Sequence, residues 1–217
     1  MVLMNKEIGR EFNIEKDISM VTIKPEPLSD GRAEKIIEFL SSYCNNNGLT
    51  IIRDTNITIK KEHILEHYGG PNKLVEVGKK VLASIRMQNP ETKAKLEGMG
   101  FTSKSEEELG MMIRDKELRD YPGKEFRVLI IVGRDALSKL RSLRGASDPS
   151  ISARGTLRHE FSTGMTVADI LLYNKPLDNV VHTPLSTEEL CTELYSIFNM
   201  SPKEMLDSTD YVKSLIR

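Results

Sequence analysis

Four places in this sequence combine residue types that can do chemistry. The densest runs from Lys139 to Arg158, KLRSLRGASDPSISARGTLR, with five basic residues against one acid. Ser142, Ser147, Ser150, Ser152 and Thr156 are interleaved with them, and Gly145 and Gly155 allow a ligand close to the backbone. Such a mixture suits phosphate oxygens, because the guanidinium fork offers two aligned charge-assisted donors. A solvated loop has the same composition. The Gly-x-x-x-x-Gly-Lys-Ser/Thr pattern is missing, which excludes a Walker-type cradle. The second place is Asn179-Val180-Val181-His182. A neutral imidazole ending a buried strand can act as nucleophile or general base. Glu193, eleven residues on, can return to that ring and fix its tautomer. The structural alternative is a satisfied strand-end histidine and a surface glutamate. The third place is Lys24, in Ile23-Lys24-Pro25, where a lysine ending an inner strand faces the crevice in which α/β proteins hold ligands. The fourth is His63-Ile64-Leu65-Glu66-His67, an H-x-x-E-H string. On a helix its two histidines share one face and could bind Zn²⁺. No third ligand accompanies them, so a surface pair is the plainer reading.

The elements that must position these groups can be read from the apolar pattern. Asp17 to Lys24 is a buried strand stopped by Pro25. PEPLSDG reads as a turn, with Ser29 and Asp30 able to cap a helix from Arg32 to about Asn45. Ile36, Ile37, Leu40, Tyr43 and Cys44 form that helix's apolar face. A strand from Leu49 to Ile59 and a short helix from Lys60 to Tyr68 follow. Residues 69–125 are rich in glycine and charge, with two amphipathic patches, and read as a helical insertion. Phe126 to Val132 is the strongest strand, and RDALSKLRSL the helix after it. Residues 144–161 read as a long loop. Asn179 to His182 is a short strand, and Ser186 to Phe198 a helix opened by a capping box of Ser186 and Glu189. Two short helical segments close the sequence.

This order, β-α-β-(helical insertion)-β-α-loop-β-α, predicts an α/β (α+β) sandwich. Its core is ferredoxin-like, βαββαβ, with a four-stranded antiparallel sheet whose one face is covered by helices. We expect a single domain over 1–217, with the insertion at about 69–125.

Composition narrows the function classes. With 31 Lys+Arg against 32 Asp+Glu, the formal charge is -1. No broad basic field for nucleic acid or an anionic membrane is expected. The two cysteines, Cys44 and Cys191, lie in apolar helical patterns and are expected as reduced thiols. No apolar run approaches the ~18 residues of a membrane span. The segment MVLMNKEIGREFNIEKD mixes acids and bases without a hydrophobic leader, so the cytoplasm is the expected location.

Together these motifs resemble a known family. ARGTLRHEF…NVVHTPLSTEELCTEL is similar to the active-site region of nucleoside diphosphate kinases. MVTIKPE resembles their first strand, and ILEHY the helix that carries their active-site tyrosine. The likeness spans about Ser19 to Phe198. It implies that His182 is the phosphorylated histidine and that Glu193 orients its ring. It also implies that Asn179 contacts the nucleotide sugar and that Lys24 contacts the transferred phosphate and the sugar. Tyr68 would support that lysine and phosphate, while Arg141, Ser147 and Arg158 would hold the outer phosphates.

The implied activity is ping-pong transfer of a γ-phosphate between nucleoside tri- and diphosphates, ATP among them. Mg²⁺ would be carried with the nucleotide, and no protein metal ligand is expected. The implied assembly is a homo-oligomer, with dimers built into tetramers or hexamers.

Departures leave a second reading open, a catalytically weak or inactive nucleotide-binding, regulatory module on the same scaffold. Thr183-Pro184-Leu185-Ser186 replaces the family's Gly-Ser-Asp-Ser. The serine that touches the catalytic glutamate is thereby lost at Pro184, unless Thr183 or Ser186 substitutes. Fifty-two residues separate Tyr68 from Tyr121, and 20 separate Arg158 from Asn179; both gaps are expansions. Ile113 and Phe101 are the candidates for a platform under the base.

Overall fold

The structure, a computed structural model, describes residues 2–5, 10–13, 16–69, 71–164, 166–174 and 178–209. The chain divides into two compact units. The first comprises Met1–Thr58, Glu125–Arg144 and Val180–Arg217, and the second Ile59–Lys124 and Gly145–Asn179.

The first unit is built on the expected four-stranded antiparallel sheet. Its strands are β3 (Ile18–Ile23), β4 (Leu49–Thr58), β5 (Glu125–Gly133) and β6 (Val181–His182), in spatial order β4-β5-β3-β6. Register is set by Met20 opposite Ile130 in β3–β5 and by Thr22 opposite His182 in β3–β6. Every residue of β3 is buried, so the apolar run ISMVTI has no solvent face. Ile18 and Met20 share a core with Val128, Ile130 and Val132 of β5. Leu190 and Leu194 of α10 (Thr187–Phe198) and Met205 and Leu206 of α11 (Pro202–Asp207) complete it. Each such side chain contributes about 1.5–3 kcal/mol relative to exposure. Alternate residues of β3 and β5 turn to the other face, where α2 (Arg32–Asn46) and α7 (Ala136–Arg144) pack. Helices therefore cover both faces, rather than the one expected. A separate hairpin, β1 (Val2–Asn5) with β2 (Arg10–Asn13), precedes the sheet and was not foreseen.

Local chemistry accounts for the other differences. Pro25–Asp30 is not a turn but a helix, α1, with proline in its first turn and Gly31 closing it at φ 82°. Proline fits there because a first-turn N–H has no intrahelical partner to lose. Ser29 gives its hydroxyl to the Glu26 carbonyl at 2.8 Å and caps nothing. Asp30 does accept the Arg32 N–H, at 3.2 Å. At α10, Ser186 Oγ accepts the Glu189 N–H as expected. The Glu189 carboxylate, however, accepts the N–H of Leu185, one residue before the cap, at 2.8 Å, so only half of the capping box forms. Of the two closing helical segments, the first is α11, capped by Ser201 and Glu204. The second lies outside the described residues.

The second unit is helical. It contains α3 (Lys61–His67), α4 (Pro71–Arg86), α5 (Pro90–Gly98), α6 (Glu106–Asp120), α8 (Leu157–Phe161) and α9 (Val167–Tyr173). Helices α4 and α6 cross antiparallel at two glycines. A Cβ on Gly78 would sit 1.7 Å from the Glu106 carbonyl oxygen, and one on Gly110 2.0 Å from that of Leu74. The segment read as a loop holds a 3₁₀ turn, Pro149–Ile151, as well as α8. The expansion after Arg158 supplies α9, whose Val167 and Ala168 share a core with Val81 and Ile85 of α4, Leu96 of α5 and Leu109 of α6. The two expansions thus stabilise one another. Phe101 is buried in this cluster and Ile113 packs half-buried against it, so both candidates for a base platform are core residues of the unit.

Candidate active site

His182 ends β6, opposite Thr22. Directly opposed residues in an antiparallel pair point to one side of the sheet, the side that α10 covers. The ring therefore meets α10, and its Nε2 lies 2.7 Å from Glu193 Oε1. Glu193 is 7% exposed. The carboxylate, an acceptor when ionised, holds the Nε2 proton, which puts the neutral ring's lone pair on Nδ1. The His182–Glu193 contact that the spacing allowed is formed.

Lys24 follows β3 and is buried. Its N–H donates to the Val180 carbonyl at 2.9 Å, extending the β3–β6 ladder past the last paired residues. Val180 has φ 46°, a left-handed conformation rare for a β-branched residue. That bend between Asn179 and the strand bearing His182 had no counterpart in the sequence reading. Arg141 is exposed on α7, with Nη1 3.4 Å from the Leu185 carbonyl. Arg144, one turn further on, went unremarked in the sequence. Its Nη1 donates to the Thr183 carbonyl at 3.2 Å. Burial pulls its pKa down, Arg141 lowers it further, and the charges of Glu189 and Glu193 work against that.

Neither proposed replacement for the missing serine contacts Glu193 among the described residues. Thr183 Oγ1 is buried without a hydrogen-bond partner. Ser186 Oγ serves as the α10 cap.

In the second unit, Arg158 is 3% exposed. Its Nε donates to the Asn179 carbonyl at 3.2 Å and its Nη1 to the Ala146 carbonyl at 2.8 Å. This guanidinium ties the middle of the basic segment, at Ala146, to the residue that precedes the strained bend. Most hydroxyls of that segment serve the chain itself. Ser142 donates to the Ser138 carbonyl, Ser152 to that of Ala146, Thr156 to that of Ala153, and Ser150 to Asp148. The half-buried Ser147 hydroxyl makes no hydrogen bond among the described residues. Gly145, at φ 87°, could carry no side chain, since a Cβ would meet Thr156 Oγ1 at 2.6 Å. Asn179 is 6% exposed, and its Oδ1 has no partner among the described residues. A buried amide oxygen left this way is costly unless a ligand donates to it. Tyr68 is buried, and its hydroxyl bonds Glu117 of α6. Burial and that carboxylate hold the phenol well above its usual pKa.

The fourth sequence motif resolves differently. His63 Nδ1 accepts the Lys60 N–H at 3.3 Å at the start of α3. Among the described residues it belongs to no cluster of three metal-ligating groups. In the first unit, one ring nitrogen of His182 and one oxygen each of Glu189 and Glu193 lie within 4.8 Å of one another. Each carboxylate makes a hydrogen bond there, Glu189 to the Leu185 N–H and Glu193 to the ring.

No family model matches this sequence, and no curated protein does. Solved structures do. The chain is similar to a nucleoside diphosphate kinase from Pyrobaculum aerophilum, at 19% identity and a TM-score of 0.66, over 84% of this chain and 96% of that one. A kinase of the same name from Borrelia burgdorferi, a transition-state mimic with bound vanadate and ADP, aligns at 13% identity and a TM-score of 0.59, covering 90% and 98%. That from Halobacterium salinarum, in complex with CDP, aligns at 18% and 0.52, covering 87% and 90%. The chain has the fold of the nucleoside diphosphate kinases. At these identities the likeness establishes the nucleoside diphosphate kinase fold, and chemistry must be argued from the side chains. No helix of the described residues is long and apolar enough to cross a membrane.

Proposed function

We propose that the protein is a nucleoside diphosphate kinase working through a phosphohistidine at His182. The observation that carries this reading is the 2.7 Å bond from His182 Nε2 to Glu193 Oε1. With the proton held at Nε2, the Nδ1 lone pair attacks the γ-phosphorus of a nucleoside triphosphate. An N–P bond forms, the bond from phosphorus to the β,γ-bridging oxygen breaks, and the diphosphate leaves. A terminal oxygen of a second nucleoside diphosphate then attacks the phosphohistidine, breaking the N–P bond and restoring the ring. Such transfer needs in-line positioning and charge stabilisation more than anything else. Lys24 and Arg141 are the cations we assign to the phosphates from the first unit. Ser147, with its unspent hydroxyl, and Arg158 take the outer phosphates. The unpartnered Oδ1 of Asn179 supports the sugar contact, since a ribose hydroxyl can donate to it. Tyr68, neutral at any physiological pH, acts as a hydrogen-bonding group. Mg²⁺ enters as part of the nucleotide substrate.

In this reading the whole chain works as one kinase-like domain in a homo-oligomer, and light scattering of the purified protein tests the assembly. The activity is tested by exchange between ATP and a second nucleoside diphosphate. Wild-type protein should catalyse it, and His182→Ala should abolish it. Full activity in that variant would sink the proposal.

A further inference from the structure

We propose that Arg144 is a positioning residue for the His182–Glu193 pair, through its positive charge and its bond from Nη1 to the Thr183 carbonyl at 3.2 Å. This rests on the kinase reading above and adds to it a residue and a charge balance.

The reasoning starts from crowding. A ring nitrogen of His182 and oxygens of Glu189 and Glu193 lie within 4.8 Å of one another. Two carboxylates this close repel, and one of them tends to bind a proton. A protonated Glu193 would offer a donor where Nε2–H needs an acceptor, and the ring would lose its tautomer. Glu189 is not free to swing away, because its carboxylate accepts the Leu185 N–H at 2.8 Å. A nearby positive charge resolves the conflict, and Arg144 carries it. The same guanidinium grips the carbonyl of Thr183, the residue next to His182, and so ties α7 to the β6–α10 connection. Among the described residues neither Thr183 nor Ser186 offers its hydroxyl to Glu193.

The charged groups that act on Arg144 are Arg141 from its own helix and Glu189 and Glu193 from α10. Removing Arg144 leaves an excess of negative charge there. Removing Glu189 as well restores the balance.

The test uses full-length protein and four forms: wild type, Arg144→Gln, Arg144→Lys and the double variant Arg144→Gln/Glu189→Gln. Rapid-quench measurement of phosphoenzyme formation from ATP is the kinetic readout, and ¹⁵N NMR titration of the His182 ring is the second. Arg144→Gln should slow phosphoenzyme formation roughly tenfold while the Kd for ATP stays within about twofold. It should raise the His182 pKa, since a neighbouring cation has gone. Arg144→Lys, and more tellingly the double variant, should recover most of both losses. A merely structural role predicts no rescue from removing Glu189, and that outcome overturns the inference. An unchanged His182 titration in Arg144→Gln overturns it too. Failure of the kinase reading is separate. It appears as absent phosphoenzyme in the wild type, and the ring titrations of all four forms still decide the role of Arg144.

Discussion

Replacing Glu193 with glutamine tests the ring-holding role at the smallest structural cost. The substitution is nearly isosteric and keeps one oxygen at a position now 2.7 Å from His182 Nε2. It removes the charge. Hydrogen bonds to charged groups contribute about 1.5–3 kcal/mol, against about 0.5–1.5 for neutral ones. The expected loss is therefore about 1–2 kcal/mol, or roughly 5–30-fold in rate at about 1.36 kcal/mol per decade. Because Glu193 touches the ring and lies within the protein at 7% exposure, nucleotide affinity should hardly move. Rapid mixing with ATP, quenched in base to preserve phosphohistidine, gives the rate constant of the first step, and equilibrium dialysis of the diphosphate gives the affinity. Glu193→Ala, which removes the acceptor at 2.7 Å altogether, should be worse, by about 3 kcal/mol or roughly 150-fold. Normal transfer in Glu193→Gln would refute the reasoning. So would a large loss of affinity at an unchanged rate, since Glu193 would then be a binding group.

Other expectations concern the frame. Gly110→Ala puts a methyl group 2.0 Å from the Leu74 carbonyl oxygen. The better helix propensity of alanine, about 1 kcal/mol, should be outweighed by overpacking of about 1–3 kcal/mol or more. Urea denaturation should show the variant less stable, and an equal or higher midpoint would contradict the crossing at α4 and α6. Burial pushes the Cys44 thiol up to about 11, so between about pH 9 and 11 the folded chain binds more protons than the unfolded one. Stability from this group is complete below pH 9 and falls as pH climbs toward 11. Thermal melts across that range should show the decline, and Cys44→Ala should flatten it.

Much of the frame could be read from sequence because burial writes itself into strands. ISMVTI and FRVLIIV carry apolar residues on both faces and became the two inner strands. The contact of His182 with Glu193 was one of two readings the spacing allowed, and the resemblance to nucleoside diphosphate kinases, rather than the spacing, pointed to it. The misreadings have physical causes. Two prolines in Pro25-Glu26-Pro27 suggested a turn, although a first helical turn tolerates them. Helix α9 carries the apolar residues Val167, Ala168, Ile170, Leu171 and Leu172 behind a capping box of Thr166 and Asp169, signals available in the sequence. The hydroxyls of residues 142–156 suggested ligands by composition, but only tertiary structure reveals that most bond their own backbone. Val180 could not be foreseen, because its left-handed conformation is imposed by the chain around a β-branched residue that disfavours it. Arg144 was invisible for a related reason. Its partners, the Thr183 carbonyl and the carboxylates of α10, come from elements distant in sequence.

The central claim is that His182 takes the phosphoryl group itself. Incubation with γ-labelled ATP and Mg²⁺, followed by peptide mapping, tests it most directly. The account predicts acid-labile, base-stable label on His182 that a second nucleoside diphosphate removes. Bound nucleotide with no label on His182, or label that persists in His182→Ala, would contradict it.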